Sequence, residues 1–97
     1  MAQVVYSSNA LANLERAFKY LAEKEPRSAS AAVAAIRTAV DVLAHHPLIG
    51  RRVEGDLREL VISYGKTGYV ALYRFIPSSD QVRVLAIRHK RELDYPE

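Results

Sequence analysis

The hydrophobic period of this chain changes once, and that change divides it into two kinds of structure. Leu11, Leu14, Phe18 and Leu21 recur at spacings of three, four and three, which marks one face of a helix. Ala29, Val33, Ile36, Val40 and Leu43 repeat the pattern further along. From Leu57 onward the apolar positions alternate instead, as strands with one buried face require. The first half is therefore helical and the second half is sheet.

Local signals set the boundaries. Ala2–Tyr6 reads as a short strand, and Ser7 or Ser8 is placed to cap the first helix by accepting a free backbone N–H. That helix spans about residues 8–25, because Pro26 disfavours helical geometry in the residue before it. A second helix spans about 28–45 and ends before Pro47, with His45 and His46 in its last turn, where histidines can cap carbonyls. Its many alanines favour helix and permit close approach of a partner, so the two helices form an antiparallel hairpin. His46–Asp56 reads as a loop. Leu57–Tyr64, Tyr69–Ile76 and Val82–His89 are strands, separated by turns at 65–68 and 77–81. The expected fold is α+β, in the order β-α-α-β-β-β, with a helical hairpin packed on an antiparallel meander that also carries the N-terminal strand. Tyr69, Tyr73 and Phe75 fall on one strand face, the side that meets the helices, and Arg74 falls on the other.

Size and composition narrow the chemistry. At 97 residues, 49% of them hydrophobic, the chain supports one core and a single domain over residues 1–97. Without cysteine there is no disulfide frame or thiol nucleophile, and three histidines offer little for a structural zinc site, so neither metal nor cofactor is expected. No apolar run approaches the roughly 20 residues that span a bilayer, and the N-terminus lacks a secretory pattern, which points to the cytoplasm and away from membranes.

Charge is distributed unevenly. The net charge is +3, yet from Leu60 to Arg91 a single acid, Asp80, stands against Lys66, Arg74, Arg83, Arg88, Lys90 and Arg91. Acids return at the end as Glu92, Asp94 and Glu97. Ten arginines against four lysines suit planar recognition of carboxylate or phosphate. A solvated sheet surface would carry such charges too; a basic face meeting an acidic protein or a nucleic acid is the functional alternative.

Three segments in this order resemble the RelE/ParE toxin superfamily of type II toxin–antitoxin systems, and its ParE-like branch in particular. They are Pro47–Arg52 followed by Leu57–Ile62, then Gly68–Arg74, then Val84–Glu92. The resemblance covers the whole chain. It implies a plasmid-stabilising toxin neutralised by a cognate antitoxin, as a hetero-oligomer or homodimer. ParE-like members act against DNA gyrase, whereas RelE-like members cut mRNA on the ribosome as metal-independent endoribonucleases. Such cleavage needs a base for the 2′-hydroxyl, cations for the phosphate and an acid for the leaving oxygen. In RelE-like enzymes an arginine follows a Gly-Tyr pair, but here Val70 follows Gly68-Tyr69, and Leu60–Tyr64 contains no lysine. Under the RNase alternative Arg91, Tyr95 and His89 remain as catalytic candidates. Under the preferred reading Arg58, Arg74, Arg83, Arg88 and Lys90 are expected to bind antitoxin or target.

Overall fold

The first strand emerges from the apolar Val4–Val5 pair, and Ser7 ends it by capping the helix that follows, its Oγ accepting from the Ala10 N–H at 3.0 Å. In this computed structural model, which describes residues 1–96, the order is β1 (Gln3–Tyr6), α1 (Ser8–Lys24), α2 (Pro26–Asp41), β2 (Arg51–Glu54), β3 (Leu57–Tyr64), β4 (Thr67–Ile76) and β5 (Gln81–His89). Glu97, counted above among the terminal acids, lies outside the described residues. The sheet order is β1-β5-β4-β3-β2, with β1 parallel to β5 and every other pair antiparallel. Both helices cover one face, and the α+β architecture expected from the periodicity is the one observed.

Three expectations require correction. The stretch read as loop, His46–Asp56, contains β2, which pairs Arg51 with Glu59 and Arg52 with Arg58 before an irregularity at Val53. Its side chains are all exposed, so no alternation of apolar residues could have announced it. The second helix begins at Pro26, which fits the first turn because no intrahelical partner awaits its missing N–H. It ends at Asp41, and a single 3₁₀ turn, Val42–Ala44, completes it. His45 and His46 follow that turn, exposed, and it is their backbone N–H groups that donate to the Val42 carbonyl. Finally, the apolar stripe assigned to α1 is only half buried. Leu14 is inside, but Leu11 is 54% and Phe18 40% exposed, while Ala10 and Asn13 take the inner positions.

The inner face of the sheet gives the core Ile62 from β3, Tyr69, Ala71 and Tyr73 from β4, and Val82 and Val84 from β5, against Ile36, Val40 and Leu43. One extra residue interrupts β5. Leu72 of β4 stands opposite Ala86 and Tyr73 opposite Val84, leaving Leu85 unpaired as a bulge. The freed backbone groups find partners in the chain after β1. Ser7 Oγ and Asn9 Nδ2 donate to the Leu85 carbonyl at 3.0 and 3.1 Å, and the buried Asn13 Oδ1 accepts from the Ile87 N–H at 2.9 Å. That role explains why a polar side chain occupies an inner position of α1.

Candidate functional site

The face of the sheet turned away from the helices is where the charged residues of the strands meet, and at its centre two arginines converge on one carboxylate. Glu59 stands on β3 opposite Leu72 and is only 8% exposed. Arg51 Nη2 donates to its Oε1 at 2.6 Å, the Tyr95 hydroxyl donates to Oε2 at 2.5 Å, and Arg88 Nη2 lies 3.8 Å from Oε2. The Arg88 guanidinium also sits 5.1 Å above the Tyr95 ring and donates to the Glu92 carbonyl at 2.8 Å. The C-terminal segment thus folds back across the open face and is latched to it by Tyr95. Val70 and Ala86, which share this face with Arg88, are both buried.

Electrostatics follow from the geometry. Burial pushes the Glu59 carboxyl up, but the Tyr95 hydroxyl, Arg51 and Arg88 outweigh it and hold the group below the ordinary carboxylate value. Burial, and then the adjacent Glu59 carboxylate, push the Tyr95 phenol well above its ordinary range. Tyr95 is therefore a committed donor rather than a base.

The residues named from sequence fall in different places. Arg74 and Arg83 are neighbours on the open face. Arg74 is paired with Asp56 at 3.4 Å, its Nε buried without a partner among the described residues, whereas Arg83 is exposed and donates to the Gln81 side chain at 3.3 Å. Arg58 points to the other side and donates to the Leu48 and Gly50 carbonyls at 3.1 and 2.8 Å, pinning the segment before β2. Lys90 and Arg91 are exposed at the exit of β5.

His89 and Arg91 lie beside α1, away from Tyr95. The His89 Nδ1 accepts the Arg91 N–H at 3.1 Å, so the proton of a neutral ring belongs on Nε2, which donates to Thr67 Oγ1 at 2.8 Å. Its ring meets Tyr69 edge-on at 5.4 Å. The three catalytic candidates do not converge on one point. Together with Asn13, Arg16, Tyr20 and Glu92, His89 and Arg91 line a cleft of about 560 Å³ between α1 and the end of β5. No group of three or more His, Asp or Glu among the described residues could hold a metal ion, and no described helix is long and apolar enough to cross a membrane.

Sequence reasoning missed Glu59 as the hub. It lies one residue before the acid-poor stretch that begins at Leu60, and its alternation with Leu60 and Ile62, which face the core, was the available signal.

Comparison with known proteins agrees with this architecture. A family model described as the ParE toxin of the type II toxin–antitoxin system parDE matches residues 4–94. Toxin RelE3 of Caulobacter vibrioides is 35% identical over 92 residues, covering 95% of this chain and 98% of that protein. Toxin RelE2 of the same organism is 36% identical over 93 residues, covering 96% and 100%. Among solved structures, a chain of the chromosomal ParDE system from P. aeruginosa superposes with a TM-score of 0.76 at 22% identity, covering 92% of this chain and 96% of that one. A chain of the toxin–antitoxin complex RelBE2 from Mycobacterium tuberculosis gives 0.60 at 23%, covering 92% and 98%. With the helical hairpin, the five-stranded sheet and nearly the full length matched, this chain belongs to the ParE toxin family of type II toxin–antitoxin systems.

Proposed function

We propose that this toxin is neutralised by a cognate antitoxin and acts against DNA gyrase without cutting RNA. The observation that carries the second half is Glu59. Cleavage through a phosphate-centred transition state needs fixed cations where charge grows, and one missing donor costs roughly 10²–10³ in rate. Here the middle of the open face holds a largely buried carboxylate that already engages Arg51, Arg88 and Tyr95. An approaching phosphate would have to compete with Glu59 for Arg51 and Arg88, and the flanking Val70 offers no further cation. Nor is Glu59 suited to take a proton from a 2′-hydroxyl, since both oxygens are occupied and its proton affinity is below the ordinary value. The antitoxin half rests on family membership and on the toxin–antitoxin complexes from which the similar structures come. Arg83 and Lys90, exposed, are the best placed of the five expected contacts; Arg58, Arg74 and Arg88 serve first to hold the fold.

The test places two assays side by side, gyrase supercoiling and primer extension on a translated message, each with purified toxin. Impaired supercoiling with an uncut message is the expected result. Ribosome-dependent cuts that vanish in Arg91→Ala, with gyrase untouched, would replace this reading with the RNase one.

A further inference from the structure

Leu48 and Ile49 are displayed rather than buried, at 57% and 59% exposure, and yet their backbone is held still. Arg58 Nη1 donates to the Leu48 and Gly50 carbonyls, the Gly50 N–H donates to the buried Tyr73 hydroxyl, and the Ile49 N–H donates to the His46 carbonyl at 3.2 Å. A loop fixed in advance loses little further freedom when something binds to it. Leu48 also lines an open groove of about 340 Å³, together with the apolar Phe75 and Pro77 and the cationic Arg52 and Arg58. Both arginines bind only neutral groups. Arg52 Nε and Nη2 donate to the Gly55 carbonyl at 3.3 and 3.0 Å, and neither Arg52 nor Arg58 has an ion-pair partner among the described residues. Asp56, the acid that also lines the groove, is paired with Arg74 instead.

We infer that this groove is where the toxin docks on its target protein, taking an apolar side chain of the target flanked by carboxylates. The inference rests on the target half of the proposed function and gives it a surface. The apolar side chain packs against Leu48, Phe75 and Pro77, and the carboxylates pair with Arg52 and Arg58. Water excluded by the first contact strengthens the second. The groove lies at the opposite end of β4 from the cleft that Tyr69 lines, so the two are separate surfaces.

Charge selects the occupant. Two copies of this chain joined through the groove would set arginine against arginine, with no carboxylate free to stand between them. A phosphate chain would satisfy Arg52 and Arg58, but it would also meet Asp56 in the groove and the exposed Glu54 beside it. Separate carboxylates on a protein can reach the two arginines without running past those acids. The apolar lining then has a counterpart of its own kind.

The experiment uses the full chain with purified DNA gyrase. Fluorescence anisotropy reads binding in the absence of DNA, and plasmid supercoiling reads inhibition. Leu48→Ser and Arg52→Glu, both at exposed positions, each weaken binding and inhibition roughly tenfold, and Arg52→Glu lowers the salt dependence. Leu48→Met, apolar and of similar volume, keeps both. Thermal unfolding of these variants matches wild type, and all are still neutralised by the co-expressed antitoxin. Val61→Thr, at an aliphatic position 52% exposed on the open face, leaves binding unchanged. Equal binding by wild type, Leu48→Ser and Arg52→Glu would overturn the inference. So would gyrase binding kept while neutralisation is lost, which would give the groove to the antitoxin. Tighter binding of a short DNA duplex, abolished by Arg52→Glu, would overturn it too by making the groove a nucleic-acid site. Wild-type toxin that leaves supercoiling untouched would sink the gyrase reading and the docking site with it; inhibition by wild type and both weakening variants alike would sink the docking site alone.

Discussion

Tyr95 reaches Glu59 from the far end of the chain, its hydroxyl donating to Oε2 at 2.5 Å across the open face of the sheet. A hydrogen bond to a charged, largely buried acceptor contributes about 1.5–3 kcal/mol. Tyr95→Phe keeps the ring under Arg88 and removes only that bond, so it should lower unfolding free energy by about 1.5 kcal/mol. Glu59→Ala should cost more, about 3 kcal/mol, because Arg88 is left without its carboxylate. Urea unfolding checks both, and equal midpoints for wild type and Tyr95→Phe would show that the latch contributes nothing.

The same pair sets how stability depends on pH. Because the Glu59 carboxyl in the folded state titrates below its ordinary value, the unfolded chain binds this proton first as pH falls. The stabilisation is fully present above about pH 4.5, the ordinary glutamate range, and is lost as pH drops through the folded value. Glu59→Gln should flatten that acid limb in urea midpoints measured from about pH 6 downward. For Tyr95 the sign is opposite in pH. Its raised phenol is stabilising below about pH 10 and loses that contribution as pH climbs further, and Tyr6, Tyr69 and Tyr73, raised first by burial, act in the same direction. An absorbance titration of the folded protein should lose a late-ionising phenol in Tyr95→Phe.

Gly50 is irreplaceable for reasons of space. Its N–H donates to the buried Tyr73 hydroxyl at 2.8 Å. A Cβ there would lie 2.6 Å from both Cε1 and the hydroxyl oxygen of Tyr73, and 2.8 Å from the Glu59 carbonyl. Neither neighbour can yield, since Tyr73 is fully buried and Glu59 is in the middle of a strand. Gly50→Ala should therefore cost about 2–3 kcal/mol and shift the thermal midpoint down by several degrees. A midpoint within a degree of wild type would refute it.

Asn13 has a comparable role at the bulge. Asn13→Ala strands the Ile87 N–H inside the protein, a loss of about 1–3 kcal/mol. Asn13→Leu, although more hydrophobic, should be no better. Hydrogen exchange at Ile87 is the direct readout, and protection unchanged from wild type would remove this role from Asn13.

Periodicity made most of the fold legible. It gave the helical hairpin and the three long strands because each buries one face and so writes its period into the sequence. It could not give β2, whose Arg51, Arg52, Val53 and Glu54 are all exposed and held by backbone pairing and polar side-chain contacts rather than by an apolar face. It misjudged α1 because Leu11 and Phe18 continue a helical stripe past the edge of the core. At the candidate site, the basic residues were visible as charge, but which of them are neutralised internally depends on Glu59 and Asp56, brought close by strand pairing rather than by sequence distance. Arg83 and Arg88 looked equivalent in the chain; one is exposed beside Gln81 and the other is the keystone of the latch.

The single unpaired residue Leu85 has a consequence for comparing relatives. Counted as an alternation of in and out, β5 slips by half a period there, so Val84 and Ile87 both reach the core and Arg88 emerges beside Glu59. Removing Leu85 would restore strict alternation and leave Ala86, Ile87 and Arg88 on the faces they now occupy. Pairing Leu85 regularly opposite Leu72, in a strand of unchanged length, would instead turn Arg88 toward α1 and Ile87 toward water, and Tyr95 would lose the cation above its ring. A one-residue gap at this point in an alignment of ParE-family chains is thus the loss of the bulge with the phase kept, and it identifies relatives in which Ser7, Asn9 and Asn13 lose their reason to reach β5 while the C-terminal segment can still be held the same way.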